Sequence, residues 1–245
     1  FWHYKLHDFP NARFQEASEV LALAFLFEHP GNPFFGKPRI KEWSLAAVDY
    51  WQAIAHGDGS FDEAYPYERS FCATAFSALH ATETLIRLNE PGTPLLRTAG
   101  AWLACHDSPD TANQRAASAA SLANIGLLTG DDAFLSAARR RVKSLKEEFA
   151  RTGFFNEYGG SDAGYASITL SALSVYAERA SDEETREWVA SRAGDLGRKL
   201  KDDGTYDYSG QSRATRFFYP HALAGPENPQ IERIANGVAG GKILM

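Results

Sequence analysis

Hydrophobic positions recur at helical spacing along almost the whole chain, whereas the alternation typical of β-strands is nearly absent. Turn signals such as HPGNP (29–33), NEPGTP (89–94) and GPENP (225–229) interrupt the pattern. The pattern predicts ten helices, at residues 12–29, 38–56, 69–88, 93–107, 112–129, 131–151, 163–180, 182–200, 212–224 and 228–240. The sequence therefore predicts an all-α protein.

The predicted helices are of two alternating kinds. The third, fifth and seventh are rich in Ala, Ser and Thr and carry almost no charge after the first turn, which is typical of helices buried on all sides. The sixth and eighth have one charged face and one apolar face, so we expect them to lie outside. Inner and outer helices alternate with a period of about 40 to 55 residues, which indicates a repeat of helical hairpins.

A short motif recurs before the inner helices. DGSF (58–61), TGFF (152–155) and DGTY (203–206) each contain a glycine followed by an aromatic residue. We expect the glycine to form a turn and the aromatic side chain to insert into the core. The repeat therefore has a local sequence signature as well as a period.

Alternating inner and outer helices with such loops resemble an α/α toroid. This architecture is shared by six-hairpin glycosidases, polysaccharide lyases, uronate epimerases, protein prenyltransferases and terpenoid cyclases. The resemblance implies a single toroid domain over residues 1–245, with about five hairpins, open or truncated relative to a six-hairpin ring. The chain begins FWHYK without an initiator methionine, so we expect a fragment of a longer protein, to which an additional domain or subunit can contribute.

In a toroid, the loops that lead into the inner helices meet at one end of the cavity, and the resemblance places the site there. These loops are polar and aromatic, whereas the turns TGDD (129–132) and ASDEE (180–184) carry only turn and capping residues. The candidate catalytic residues are Glu63, Glu68, Glu157, Asp162, Tyr219 and His221. The candidate substrate-binding residues are Tyr65, Tyr67, Arg69, Asn113, Gln114, Arg115, Asn156, Tyr158, Tyr165, Arg213 and Arg216.

Several candidates also have a structural interpretation. Asp162 and Asn113 stand where a residue that caps a helix is expected. Glu157 is harder to explain in this way, because the two glycines that follow Tyr158 would let a ligand approach closely. His80, deeper in the third helix, is expected to be a core histidine with its hydrogen bonds satisfied.

The YPH sequence (219–221) lies inside the ninth predicted helix. Proline in a helix removes a backbone hydrogen bond and kinks the helix. We expect the kink to direct Tyr219 or His221 toward the cavity as a proton-transfer group, the alternative being a buried structural histidine.

Composition excludes several other functions. The formal net charge of −6 argues against a nucleic-acid-binding surface, and the one dense basic run, RRRVKSLK (139–146), is interpreted as a solvated helix face. The longest apolar run, VLALAFLF (20–27), is too short to span a bilayer. The histidines are scattered, and Cys72 and Cys105 have no CxxC spacing, so we expect buried thiols, no metal site and no cofactor.

Two chemistries on sugars fit these residues. A glycosidase needs two carboxylates across the scissile bond, which Glu63 or Glu68 with Glu157 or Asp162 would supply. A uronate lyase or epimerase needs groups that neutralise a carboxylate, together with a Tyr or His acid and base. Hydrolysis of an anionic, uronate-containing polysaccharide is the leading hypothesis. Elimination or epimerisation, glycan binding without catalysis and terpenoid-cyclase-like chemistry are the alternatives.

Overall fold

The computed structural model describes residues 10–223 and 229–241. Within these ranges it contains nine α-helices, two 3-10 helices and no β-strand, which confirms the all-α prediction. The α-helices are α1 (Ala17–Leu26), α2 (Pro38–Ala53), α3 (Phe71–Arg87), α4 (Leu95–Cys105), α5 (Ala112–Thr129), α6 (Asp132–Thr152), α7 (Ala163–Arg179), α8 (Glu183–Gly197) and α9 (Pro229–Ala239). The 3-10 helices are η1 (Ala12–Glu16) and η2 (His221–Leu223).

The described part of the chain divides into two compact units. The first unit takes its residues from Phe1–Asp107 and Ser121–Ala138, and the second from Ser108–Ala120 and Arg139–Met245. In the first unit α1 packs against α2 and α3, and α3 packs against α4. In the second unit α7 packs against α8, and both contact η2. Helices that follow one another in sequence thus pack together, as expected of helical hairpins.

Of the three helices predicted to be inner, α3 and α5 are buried nearly all round, whereas α7 has a half-buried face that includes Tyr165, Ile168 and Ser171. In α3 every residue from Ala73 to Leu85 except His80 is buried, and in α5 every residue from Arg115 to Ile125 is buried. Their polar side chains bond within the protein, as where the Ser121 hydroxyl donates to the Ala75 carbonyl at 2.8 Å. In contrast, α6 and α8 each expose one face. The predicted alternation of burial is therefore confirmed for these helices.

The recurring glycine–aromatic motif forms the predicted turns. The glycines have positive φ and the aromatic side chains are buried. The glycines are Gly59, Gly153 and Gly204, and the aromatic residues are Phe61, Phe155 and Tyr206. Only glycine adopts positive φ without steric cost. The need for a glycine two residues before each buried aromatic therefore explains why the motif repeats within this chain.

Two of these turns share one hydrogen-bonding pattern. Gly59 N donates to the His56 carbonyl at 2.8 Å, and His56 N donates to the Ser60 carbonyl at 2.9 Å. In the second unit, Lys201 N donates to the Thr205 carbonyl at 2.7 Å, and Gly204 N donates to the Lys201 carbonyl at 3.0 Å, so both bonds recur. The repeat seen in the sequence is thus a repeat of backbone structure.

The aromatic residue of the first turn joins two helices of the first unit. Phe61 stacks on Trp51 of α2, with ring centroids 4.9 Å apart. Its backbone N–H donates to the Thr74 hydroxyl of α3 at 3.0 Å. The Trp51 indole donates to the Ser77 hydroxyl of α3 at 2.9 Å. The turn therefore fixes α2 against α3 through both apolar stacking and buried hydrogen bonds.

The helix predicted at 212–224 is wrong over 212–220, because residues 207–220 form an irregular loop that ends at η2, and the last predicted residue, 224, lies outside the described residues. The Tyr206 hydroxyl lies 2.7 Å from the Thr215 carbonyl oxygen and 2.8 Å from that of Phe217. Tyr219 N donates to the Ser167 hydroxyl at 2.8 Å. Side chains of the second unit thus replace the hydrogen bonds of a helix, and Pro220 disfavours helical geometry at the residue before it.

The expectation of two buried thiols is also wrong, since Cys72 is half-buried and Cys105 is exposed. Cys105 is the last residue of α4, where the helix ends at the surface. Cys72 lies in the first turn of α3, and its sulfur accepts a hydrogen bond from Arg13 Nη1 at 3.0 Å.

His80 interrupts the buried run of α3 and is paired with acids. Its Nδ1 lies 2.6 Å from Glu19 Oε2, and its Nε2 lies 3.8 Å from Glu16 Oε2. Burial alone would lower the pKa of His80, but the hydrogen bond to Glu19 and the charges of Glu16 and Glu19 outweigh both burial and Arg13 and raise it. His80 is therefore half-buried and ion-paired through one ring nitrogen, which differs from the core histidine expected from the sequence.

We predict that His80 makes the stability of the protein depend on pH. Because its pKa is raised on folding, its stabilisation is fully present below the unfolded pKa of about 6.5 and is lost as the pH rises through the folded pKa. The free energy of unfolding of the native protein should exceed that of His80→Gln most at low pH, measured by denaturant titration across this range. A difference that does not change with pH would contradict the prediction.

We predict that Gly59→Ala destabilises the protein more than Gly153→Ala. Both substitutions place a side chain at positive φ, which costs roughly 1–2 kcal/mol. A Cβ on Gly59 would also lie 2.4 Å from the Ala99 backbone nitrogen, whereas a Cβ on Gly153 meets nothing within 4 Å. Denaturant unfolding should therefore show an additional loss of about 1–3 kcal/mol for Gly59→Ala, and equal losses would contradict the close contact.

Candidate functional site

Three of the loops that were predicted to converge meet in the second unit. They are the end of the loop before α5 (108–111), the loop before α7 (153–162) and the loop 207–220. Tyr158 N donates to the Asp110 carbonyl at 2.8 Å, which joins the first two loops. Ser212 N donates to the Ser161 carbonyl at 3.0 Å, which joins the third. The remaining candidate loop, 57–70, belongs to the first unit.

Glu157 is fully buried, with 0% of its surface exposed. One carboxylate oxygen accepts a hydrogen bond from Asn113 N at 2.9 Å, and the other accepts one from Asn113 Nδ2 at 2.6 Å. Asn113 is the second residue of α5, so Glu157 supplies an acceptor to the start of that helix. The expectation that Asn113 itself caps α5 is therefore wrong, because its side chain donates to Glu157.

The electrostatic surroundings of Glu157 favour its neutral form. Burial raises its pKa, the two hydrogen bonds from Asn113 lower it, the nearby charge of Asp162 raises it, and Arg213 lowers it. The balance raises the pKa of Glu157 to about 7. A carboxyl group with such a pKa exists in both protonation states near neutral pH, as a general acid requires.

Asp162 is the N-cap of α7, as one of the two sequence interpretations expected. Its side chain accepts a hydrogen bond from Tyr165 N at 3.1 Å. The Thr215 backbone and hydroxyl also donate to this carboxylate, which fixes the loop 207–220 to the start of α7. Asp162 is thus buried and structurally occupied, and it lies close enough to affect the pKa of Glu157.

Tyr158 has an unusual backbone conformation. It lies in a tight turn between Glu157 and Gly160, whose backbones pair at 2.8 Å, and its φ is +54°. The side chain is 53% exposed, and the Arg213 guanidinium lies 4.7 Å from its ring centroid. Among the described residues Arg213 has no carboxylate partner within ion-pair distance. The turn therefore presents an aromatic ring and an unpaired cation together.

A second tyrosine–arginine pair lies in the loop 207–220. The Arg216 guanidinium lies 5.0 Å from the ring centroid of Tyr208, and the described residues offer it no carboxylate partner either. Both arginines are exposed. We call the two pairs, together with the exposed Tyr219, the Tyr–Arg surface; it consists of Tyr158, Arg213, Tyr208, Arg216 and Tyr219.

An aromatic residue beneath this surface was not predicted. Phe217 meets Tyr165 edge to face at 5.3 Å and Tyr219 at 6.0 Å. Burial raises the pKa of Tyr165, which Arg213 opposes and the neighbouring Tyr158, Glu157 and Asp162 reinforce. The aromatic run RFFYP (216–220) could have indicated this cluster in the sequence. It was interpreted as part of a helix, so the contact between Phe217 and Tyr165 was not predicted.

The other candidates of the second unit differ in exposure. Arg115 is buried and donates to Glu148 at 2.6 Å and to the Ser144 hydroxyl at 2.8 Å. The Asn156 side chain accepts from Gly159 N at 3.0 Å, which supports the Tyr158 turn. Gln114 is half-buried, and His221 is exposed at the start of η2.

The candidates of the first unit stabilise their own loop. One oxygen of Glu68 accepts from three successive backbone N–H groups, those of Glu63, Ala64 and Tyr65. Glu63 lies 3.4 Å from Arg13 Nη1, and its other oxygen accepts from the Ser70 hydroxyl at 3.1 Å. Tyr65 and Tyr67 are both exposed, and Arg69 pairs with Asp58.

No group of three or more His, Cys, Asp and Glu side chains within residues 10–223 and 229–241 is arranged to hold a metal ion. In the same ranges, every helix is too short or too polar to cross a membrane.

No protein-family model matches the chain, and comparisons with curated proteins and with solved structures find no match. The geometry of the Tyr–Arg surface and of the carboxyl groups beside it is therefore the basis for a functional proposal.

Proposed function

We propose that this protein is carbohydrate-active and binds an anionic, uronate-containing oligo- or polysaccharide at the Tyr–Arg surface. The observation that carries the proposal is the pair Tyr158 and Arg213: an exposed ring at positive φ beneath a cation without a carboxylate partner among the described residues. The α/α toroid remains part of this proposal, supported by the alternation of buried and half-exposed helices and by the repeated turn.

The backbone of Tyr158 supports a functional role for its side chain. A non-glycine residue at positive φ is uncommon, and asparagine or glycine is favoured at such a turn position. A bulky residue in this conformation costs about 1–3 kcal/mol and persists where the surroundings or the function require it. Because the ring is exposed, core packing does not explain the choice of tyrosine.

The two arginines indicate the charge of the ligand. A guanidinium group binds a carboxylate through two parallel hydrogen bonds, and stacking on an aromatic ring leaves its N–H edge available. Arg213 and Arg216 are both held in this way, whereas Arg115 and Arg87 are committed to glutamates. Uronate sugars combine a carboxylate with an apolar ring face, which together match an arginine and a tyrosine.

For the reaction itself we propose glycoside hydrolysis by paired carboxylates, with Glu157 as the general acid that protonates the leaving oxygen and Asp162, once freed from its contacts with Thr215, as the base that takes a proton from the attacking water. The specific support is the pKa of Glu157, which burial and Asp162 raise to about 7. Glu157 is buried beneath the Tyr158 turn, so proton transfer requires that this turn open when the sugar binds. Glycan binding without turnover is the alternative that the same surface supports.

We predict that Tyr158→Asn weakens binding of galacturonic acid oligomers by about tenfold or more, the loss of one good stacking contact. The melting temperature should stay the same or rise, because asparagine suits positive φ better than tyrosine does. Calorimetric titration and thermal unfolding measure the two effects.

Tyr158→Phe is the matched control, because it keeps the ring and should keep the binding. Unchanged affinity in Tyr158→Asn, or loss of folding in both variants, would contradict the proposed role of this residue.

We predict that Glu157→Gln abolishes hydrolysis of a uronate polymer while binding persists. In the native protein, activity should fall as the pH rises through about 7, because the general acid must be protonated. Reducing-end release across pH measures the effect, with the exposed Glu178→Gln as control. Formation of an unsaturated uronate, detected by its ultraviolet absorbance, would show that the reaction is elimination and not hydrolysis. Binding without any product would show that the protein binds glycans without catalysis.

A further inference from the structure

The basic run of α6 lines a groove that the proposed function does not use. The groove lies between α6 and α8 in the second unit and has a volume of about 650 Å³. Arg139, Lys143 and Lys146 line one side, and Trp188 of α8 lines the other. Residues spaced in this way share one face of a helix, so the three cations form a stripe along the groove. The size suits a small organic ligand.

The cations of this stripe are only weakly committed to protein partners. Lys146 Nζ lies 2.5 Å from Glu184, and Lys143 Nζ lies 3.8 Å from Glu147, but these acids are 86% and 67% exposed. Exposed ion pairs contribute little to stability and exchange readily with solvent or a ligand. Arg139 has no carboxylate partner among the described residues, and its guanidinium hydrogen-bonds to the Tyr176 hydroxyl, which itself donates to Asp182. A ligand could therefore bind these cations with little loss of folding stability.

Trp188 forms an aromatic wall that the protein holds in place. Phe149 and Phe155 meet its ring edge to face, at 5.5 and 5.9 Å. The Lys146 ammonium lies 5.8 Å from the ring centroid, and the indole is half-buried. A rigid ring beside a cation offers a stacking surface and a charge contact at the same place.

We propose that the α6–α8 groove is a second binding site for an acidic oligosaccharide, with the sugar face on Trp188 and its carboxylates toward Arg139 and Lys143. The groove also contains Asp182 and the glutamates that pair with the lysines. These acids accept hydrogen bonds from sugar hydroxyls, which the deoxyribose–phosphate backbone of DNA does not offer within its chain. The site does not depend on the Tyr–Arg surface, since the two share no residue.

The test compares neighbouring arginines of the same helix. Arg139 lines the groove, whereas the exposed Arg140 does not. Binding of a galacturonic acid oligomer is measured calorimetrically at low salt in the Tyr158→Asn protein, in which the Tyr–Arg surface should bind about tenfold or more weakly, so that a remaining tighter site is the groove. Arg139→Gln and Lys143→Gln should each weaken binding by about tenfold, the value of one charge-assisted hydrogen bond. Arg140→Gln should leave the affinity unchanged.

Each other result overturns the proposal. Equal losses in all three variants would mean diffuse attraction by the basic helix, and no binding would mean that the groove takes no acidic sugar. Tighter binding of a single-stranded DNA oligonucleotide would assign the groove to nucleic acid instead. If a neutral maltooligosaccharide binds as well as the acidic oligomer, the cations do not contribute to recognition. The proposed function fails separately, if Tyr158→Asn does not alter binding at the Tyr–Arg surface.

Discussion

A helix that begins inside a protein must find acceptors for its first backbone N–H groups, and the buried helices of this chain meet that requirement with side chains from loops. Ser70 caps α3, and Asp162 caps α7. The start of α5 is served by Glu157, which lies 44 residues further along the chain. The capping groups thus fix the positions of the loops beside the buried helices. They thereby also fix the positions of the exposed side chains on those loops.

The cap of α5 has a consequence for the loop that provides it. Glu157 stands at one end of the Tyr158 turn and is held by both the backbone and the side chain of Asn113. A helix start and its hydrogen bonds favour the ionised carboxylate, but burial and the nearby Asp162 outweigh them and raise the pKa to about 7. Because the pKa of Glu157 is raised on folding, its contribution to the free energy of unfolding is lost as the pH rises through this value.

The regular features of the fold were predictable because they arise from local physics. Helical periodicity, the poverty of charge in α3 and α5, and the glycine–aromatic turns each depend on residues close together in sequence. The predicted helix at 212–224 failed because Tyr206 and Ser167 provide hydrogen bonds from outside the segment. Likewise, the sequence identified Asn113 and Glu157 separately, but which of them caps the helix depends on a tertiary contact.

The candidate site also has features that the sequence predicts and features that depend on tertiary contacts. Residue types and loop positions predicted that Tyr158 and Arg213 belong to the site, and the structure brings them together. The sequence does not distinguish Arg115 from Arg213, although one is buried against Glu148 and the other is exposed on a ring. A cation that already has its carboxylate contributes to the fold, whereas one held only by stacking keeps its hydrogen-bond donors for another molecule. The proposed distinction between structural and ligand-binding arginines therefore lies in their partners, and under the proposed function a ligand would meet the Tyr–Arg surface before the buried carboxylates.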